Sequence, residues 1–509
     1  MTGNSTPDLA PQMPERGAAL FAFDNSYARL PEKFFARQPP GPVSAPRLVR
    51  LNEKLARQLV LDPDRLASPE GVEVLAGNRL PQGADPLAMA YAGHQFGHWV
   101  PQLGDGRALL LGEVIDREGV RRDIQLKGSG RTPFSRNGDG RAALGPVLRE
   151  YIVSEAMAAL GIATTRSLAA VTTGERIMRQ GLLPGAVLTR VSRSHIRVGT
   201  FEFFAGRGDT DGVRALADYA IARLYPEALE SPQPYVALLE SVVAGTAALV
   251  AGWMLVGFIH GVMNTDNMSI ACETIDYGPC AFMDIYSPAT IFSSIDHAGR
   301  YAYANQPRIA QWNLARFART LLPLIGADET GAVEAAQKAI DAFPDRFEMT
   351  WLAGLRRKLG LVREHEADKT LALDLLERMA ANNADFTLVF RRLCDCAAFG
   401  AEADEAIRGL FDDSAAFNEW ACRWRARLAL EERSPAACGA AMRGVNPAFI
   451  PRNHRVEAAI QAAEQHSDFS PFEELLSVLS TPCIDRSALA HYANPPRPEE
   501  IVHQTFCGT

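Results

Sequence analysis

Between Val242 and Ile259 the chain carries no charged side chain. A run of that length belongs either in a bilayer or in the interior of a protein. This one contains Gly245, Gly252 and Gly257, lacks a flanking Lys/Arg cluster, and passes directly into the polar segment His260-Gly-Val-Met-Asn-Thr-Asp-Asn267. A spanning helix would be expected to end in basic anchors. We read the run as a fully buried helix that delivers a polar loop. Burying a helix on all sides takes a substantial core, and 509 residues, 47% hydrophobic and 22% charged, supply material for two or three packed units. The same composition excludes a disordered or fibrous chain. A net charge of −8 argues against general nucleic-acid binding while leaving room for local basic clusters.

Around that helix the chain divides into three stretches. Residues 1–85 read as an N-terminal extension, with a loop at Gln38-Pro-Pro-Gly-Pro42 and a helix expected around Leu51 to Leu61. Residues 86–307 carry the chemistry, and 308–509 read as helices. Within the middle stretch, glycine punctuation and short apolar runs from Leu103 to Val114, then Asp116 to Gly119, predict a strand and a turn. A second strand follows, Asp123 to Lys127, whose alternation puts Ile124 and Leu126 on one face and Gln125 and Lys127 on the other. Pro146 opens a helix running to about Leu160, with Gly161 ending it and Glu150 on its inward face. Helical spacing recurs at Trp312–Leu322, Ala332–Phe343, Arg346–Leu359, Leu371–Ala381, Ala403–Leu410 and Pro471–Leu479. No repeat of fixed period is present.

The eight cysteines are scattered without paired metal-ligand spacing, so a reducing compartment is expected, with Cys394 and Cys396 as two buried thiols. Met1 to Gly17 has neither the basic nor the apolar region of a secretory signal and does not look like an import peptide. A cytoplasmic location is the expectation.

Three features point to chemistry on a nucleotide. Gly104-Asp-Gly-Arg107 opens a hairpin, where backbone can approach phosphate; alone, a short glycine turn is more often only a turn. Lys127 on a strand, followed by Glu150 on the next helix, is the spacing by which a glutamate holds a phosphate-binding lysine in protein-kinase-like folds. Asp266 and Asn267, followed by a short strand, a turn, a second strand and Asp276-Tyr-Gly-Pro279, match the metal-binding half of such a site, with Asn267 and Asp276 offering oxygen ligands to Mg2+ or Mn2+. One departure is informative: Val262 follows His260-Gly261 where a kinase carries its base. Asp266 is the available carboxylate, which argues against ordinary γ-phosphoryl transfer. Arg190, Arg193 and Arg197 form a third cluster. On a strand, Arg193 and Arg197 would share one face and Arg190 the other; polyphosphate binding and a solvated basic edge are equally compatible with it.

The segments Phe23 to Pro31, Tyr91 to Gly97, Gln102 to Arg107, Gln125 to Arg136, Asp139 to Arg141, His260 to Met268 and Asp276 to Pro279 resemble the selenoprotein O family, the pseudokinase-like protein adenylyltransferases, from about residue 22 to the C-terminus. The resemblance implies an α+β, protein-kinase-like two-lobed fold with ATP inverted, so that a protein hydroxyl meets the α-phosphate and pyrophosphate leaves. It implies nucleotide contacts from Gly104, Gly106, Arg107, Lys127, Asp139, Gly140, Arg190, Arg197 and Asp276. Glu150 would orient Lys127, Asn267 and Asp276 would hold Mg2+ or Mn2+, and Asp266 would accept the proton. Protein substrates, redox-related ones as candidates, are the implied partners, without nucleic acid or membrane. Cys507 stands where some members carry selenocysteine; a disulfide involving the tail is implied for some relatives, and a free thiol is expected here. Transfer of UMP with Mn2+, a γ-phosphoryl kinase and a non-catalytic nucleotide-binding scaffold are the rival readings.

Overall fold

A computed structural model describes residues 19–179 and 181–505. The readings made for Met1 to Gly17 and for Cys507 lie outside these residues. In chain order the strands are β1 (Phe35–Arg37), β2 (Arg47–Leu51), β3 (Leu87–Met89), β4 (Gly93–Gln95), β5 (His98–Val100), β6 (Ala108–Ile115), β7 (Arg121–Lys127), β8 (Ala142–Ala143), β9 (Arg166–Met178), β10 (Leu182–Ser192), β11 (Phe258–Ile259) and β12 (Ala281–Phe282). The first eight α-helices are α1 (Glu53–Gln58), α2 (Pro63–Ala67), α3 (Pro69–Ala76), α4 (Leu144–Ala159), α5 (Val198–Ala205), α6 (Thr210–Leu224), α7 (Pro234–Val256) and α8 (Gln306–Ile325). Two compact units result, and each draws on separated stretches of chain.

The first unit comprises 19–90, Gly104–Ala143 and Ser167–Ser194. Its sheet runs β1-β3-β6-β7-β10-β9-β2, with β8 paired to β10. The pairings β1–β3, β3–β6, β6–β7, β7–β10, β8–β10 and β2–β9 are antiparallel. Ile124 and Leu126 of β7, Val187 and Val191 of β10, and Leu168 and Val171 of β9 pack with Leu55, Leu66, Val74 and Leu75 from α1–α3. Helices on one face of an antiparallel sheet make this an α+β unit. The alternation expected for β7 holds, and it leaves Gln125 and Lys127 on the face opposite this core. Both are nevertheless buried, so that second face is polar without being solvated. The helix expected at Leu51 to Leu61 is the shorter α1, opened by Asn52, whose side chain accepts from Leu55 N.

The second unit comprises Tyr91–Leu103, Leu144–Arg166 and 195–505. The uncharged run forms the core of α7, a helix long and apolar enough to cross a membrane. It packs instead against α8 and the helix Phe343–Lys358. Its glycines are contact points. A Cβ at Gly245 would stand 2.6 Å from Cys272 Sγ, and one at Gly252 would stand 2.9 Å from Ile162 Cδ1. Gly257, at φ 73°, ends α7 in the left-handed conformation and turns the chain into β11, which pairs with β12.

All six stretches expected to be helical after residue 308 carry helices, the Ala403–Leu410 one shortened to Asp404–Arg408, with Phe386–Phe399, Ser414–Leu428, Pro435–Arg443 and Asn453–His466 in addition. Two expectations are corrected. The basic segment is not one strand through Val198, because β10 stops at Ser192 and Arg197 is the N-cap residue of α5. Nor are there two strands between Asn267 and Asp276. Ile270 N donates to Ile196 O, Val198 N to Met268 O and Thr274 N to Ala163 O. The segment's backbone groups are thus satisfied by distant chain, and no local ladder is required. The seven described cysteines are free thiols, Cys394 and Cys396 among the buried ones.

Candidate active site

In the first unit the site begins with a polar row on the open face of the sheet. Lys127 lies between Ala108 of β6 and Leu188 of β10, and Gln125 lies opposite Arg190. Directly opposed residues share a face, so Lys127, Gln125 and Arg190 stand together. Arg190 Nη1 donates to Gln125 Oε1 at 3.4 Å, and Gln125 Nε2 donates to Asp105 Oδ2 at 3.2 Å. Asp105 belongs to the glycine turn, so the turn and the basic row form one connected network. Gly104 sits at φ 91°, where a Cβ would fall 2.3 Å from the Phe134 ring. Gly106 is closed in by the same loop, and its carbonyl accepts from Ser135 Oγ. Arg107 immediately precedes β6 and is half-buried.

Gly140, at φ 69°, packs so tightly that a Cβ would stand 2.1 Å from Gly130 O. Asp139 is held bidentately by Arg179, at 2.8 and 2.9 Å, and this guanidinium keeps its carboxyl below the usual range. Arg179, Gln125 and Asp105 were not singled out from the sequence. Arg179 lies forty residues from its partner, a separation that no local pattern reveals.

In the second unit α7 and β11 deliver His260. Burial keeps its imidazole pKa low, and Nε2 lies 2.9 Å from Ile275 O, which fixes the loop ahead of Asp276. Val262 is buried where a base would otherwise be. Thr265–Asn267 forms a single 3-10 turn. Asp266 is buried on it, and burial raises its carboxyl to about 6 against the opposing pull of Arg197. At neutral pH it is therefore mostly ionised and a stronger base than a surface carboxylate. Gln95 Nε2 donates to Asp266 Oδ2 at 3.3 Å. Asn267 Nδ2 donates to Val262 O at 3.0 Å, which leaves the amide oxygen as the atom able to meet a cation.

Asp276 occupies φ 62°, a strained conformation for a residue with a side chain. Arg197 joins the two acidic positions: its Nη1 donates to Asp276 Oδ2 at 2.6 Å and to Asp266 O at 2.7 Å, and its guanidinium lies 4.5 Å from the centroid of Tyr91. Tyr277, fully buried, shares a hydrogen bond with Thr164 Oγ1. Glu150 is buried on α4, as its inward face required.

The expected residues thus fall into two groups. Gly104, Gly106, Arg107, Lys127, Asp139, Gly140 and Arg190 belong to the first unit, and Glu150, Arg197, Asp266, Asn267 and Asp276 to the second. Arg197, Asp266 and Asp276 are in direct contact. Asn267 and Asp276 are hard oxygen donors suited to Mg2+ or Mn2+. Among the described residues no group of three or more His, Cys, Asp or Glu could hold a metal. A cation at Asn267 and Asp276 would therefore complete its shell with water and phosphate oxygens, as Mg2+ commonly does in phosphoryl-transfer sites.

A second network supports the acidic turn. Thr265 Oγ1 donates to Glu202 Oε2 at 2.5 Å and accepts from His94 N at 2.7 Å. Arg316 Nη2 lies 2.9 Å from His94 Nε2. Burial, reinforced by Arg316, Arg319 and Arg300, lowers the His94 imidazole to about 4. A neutral ring lets Nε2 accept from Arg316, and Nδ1 lies 2.8 Å from Glu202 Oε1 without forming a hydrogen bond to it. No role was assigned to these supporting residues from the sequence, although His94 and Thr265 lie in the segments Tyr91 to Gly97 and His260 to Met268 that carry the family resemblance.

The fold is α+β and kinase-like; one unit carries a buried basic row beside a glycine turn and the other an acidic turn, residue types found in nucleotidyl- and phosphoryl-transfer enzymes, and Val262 sets the chain apart from ordinary kinases. The sequence profile described as protein adenylyltransferase SelO matches residues 19–480. Protein nucleotidyltransferase YdiU of Rhodopseudomonas palustris strain HaA2 is 66% identical over 489 residues, covering 96% of this chain and 99% of the relative. The protein of the same name from Bradyrhizobium diazoefficiens matches to the same extent. The chain belongs to the SelO protein adenylyltransferase family and is a nucleotidyltransferase acting on proteins.

Proposed function

We propose that the chain transfers AMP from ATP to Ser, Thr or Tyr hydroxyls of proteins and releases pyrophosphate, with Mg2+ or Mn2+ at Asn267 and Asp276. The observation that carries this reading is the contact of Arg197 with both Asp266 and Asp276, beside a Val262 that leaves the usual kinase base absent.

Asp266 takes the proton of the incoming hydroxyl as its oxygen bonds to the α-phosphorus and the bond to the bridging oxygen breaks. Lys127, Arg190 and Arg197 offset the charge developing toward pyrophosphate. The cation, when bound, supplies Lewis-acid stabilisation of phosphate oxygens. Gly104 and Gly106 admit the nucleotide to backbone N–H groups.

The test compares labelling of proteins by ATP radioactive at the α- or the γ-phosphate, and by α-labelled UTP, each with Mg2+ or Mn2+. Asp276→Ala serves as control. Label from α-ATP alone, lost in the variant, is the expected result. Label from γ-ATP would make the enzyme a kinase, and a preference for UTP would replace AMP by UMP.

A further inference from the structure

The hairpin β4–β5 connects Asp266 with an arginine that the transfer chemistry does not use. Gln95, the last residue of β4 before the turn, donates to the Asp266 carboxylate. At its turn, Phe96 N donates to Asn264 Oδ1 at 2.9 Å, and Tyr301 Oη donates to the same oxygen at 2.6 Å. A Cβ placed on the turn residue Gly97 would be 3.7 Å from Arg300 Cζ. Arg300 therefore stands beside the turn that immediately follows the residue touching Asp266.

Its side chain is held in place and left without an acid. The guanidinium lies 4.7 Å from the Trp312 ring centroid and 5.7 Å from that of Tyr301. The Asp296 carboxylate fixes its backbone, accepting from Arg300 N at 2.9 Å and Tyr301 N at 2.8 Å. Yet no carboxylate among the described residues forms an ion pair with the guanidinium, and Nε is buried without a hydrogen-bond partner. In contrast, the neighbouring Arg316 is matched by Glu202. Around Arg300 the surface is aromatic and basic. Trp99 is 41% exposed on β5, and His94 packs against both Trp99 and Trp312, at 4.9 and 5.6 Å between ring centroids. An arginine stacked on an aromatic face keeps its charge while losing rotamer freedom, which suits it to bind a carboxylate from outside the chain.

We propose that Arg300 binds an acidic side chain of the acceptor protein flanking the hydroxyl to be modified, with Trp99 bordering the extended segment that carries it. The occupant is an acidic stretch of a protein substrate. The proposal rests on the transfer reading above, because it assigns the acceptor's place relative to Asp266.

The test maps modified hydroxyls by mass spectrometry after the full-length enzyme acts on a bacterial soluble protein extract with ATP and Mg2+ or Mn2+. Asp and Glu should be enriched about fivefold within roughly five residues of the labelled hydroxyls, relative to unlabelled Ser, Thr and Tyr. Arg300→Glu should abolish the enrichment or shift it to Lys and Arg, and Arg300→Gln should abolish it. ATP affinity, read by equilibrium binding, should stay within about twofold in both variants and so report intact folding. An acid frequency at background in the wild-type enzyme overturns the proposal even if a variant misfolds, as does enrichment that persists in a folded Arg300 variant. If no hydroxyl gains AMP with any form, the transfer reading itself has failed, a result distinct from AMP transfer without acid preference.

Discussion

Gly93 has no room for a methyl group: a Cβ there would stand 2.5 Å from Asp266 Oδ1 and 3.0 Å from its Cβ. The turn bearing Asp266 cannot retreat, because Thr265 is tied to Glu202 and His94 on one side and Arg197 holds the Asp266 carbonyl on the other. Gly93→Ala should therefore displace the carboxylate. Since misplacing a reacting group by about 1 Å can cost about 10²-fold, protein labelling should fall by about that factor. Equilibrium binding of ATP should be little changed; an unaltered labelling rate would remove Asp266 from the reaction. The residues proposed for the chemistry could be named from the sequence because such chemistry restricts their type. Oxygen donors at Asn267 and Asp276 and a cation at Lys127 can be named from sequence. Gly93, Thr265, Glu202 and His94 act through distance, and glycine and threonine at such positions look ordinary until the chain is folded.

At the scale of elements, α7 was legible because a helix deep in a core is apolar over most of its surface, although its burial is less complete than expected, with Ala248 exposed and Ala244, Gly252 and Leu255 half-buried. Pro435–Arg443 was not, since its buried residues are only Cys438, Gly439 and Met442, and small side chains give a weak period. Phe386–Phe399 hides its face behind Arg391, a buried cation in mid-helix whose Nη1 donates to the Asn446 and Arg443 carbonyls. A related cation joins this helix to Phe343–Lys358. The Lys358 ammonium is buried 4.3 Å from the Phe390 ring centroid, and burial lowers its pKa from 10.5 to about 8. Such a fall corresponds to ~3 kcal/mol of cost to the charged fold, partly offset by the ring. Below pH 8 both folded and unfolded chains carry the proton, and the cost is present in full. Between 8 and 10.5 the unfolded chain binds more protons, so this group makes stability rise with pH, until above 10.5 the cost is gone. Lys358→Met should accordingly melt higher than the wild type at pH 7, with the difference shrinking by pH 9.5. Calorimetry at the two pH values decides this, and a difference independent of pH would mean that the lysine is not desolvated.

Across the molecule, the helices after residue 308 hold the chain that follows the metal-type loop. Arg452, almost fully buried, donates from Nη1 to Asp385 Oδ2 at 2.8 Å and also to Asp284. Around that arginine the backbones lock, with Phe386 N donating to Asp284 O at 2.8 Å and Tyr286 N to Ala384 O at 2.9 Å. Protein kinases often order the corresponding segment by phosphorylation, adding an anion that an arginine can grip. Here the anions are two aspartates and the arginine comes from the helical region, so order is built into the fold. Arg452→Met should leave buried Asp385 and half-buried Asp284 without their cation, and breaking a buried pair typically costs ~3–5 kcal/mol. Hydrogen exchange should then quicken first in residues 284–305, the denaturation midpoint should fall, and nucleotidyl transfer should fall with it. Adding Asp385→Asn should recover part of the stability by removing one of the unpaired charges. If Arg452→Met lost activity with exchange in 284–305 unchanged, the helical region would serve the reaction by some route other than this clamp.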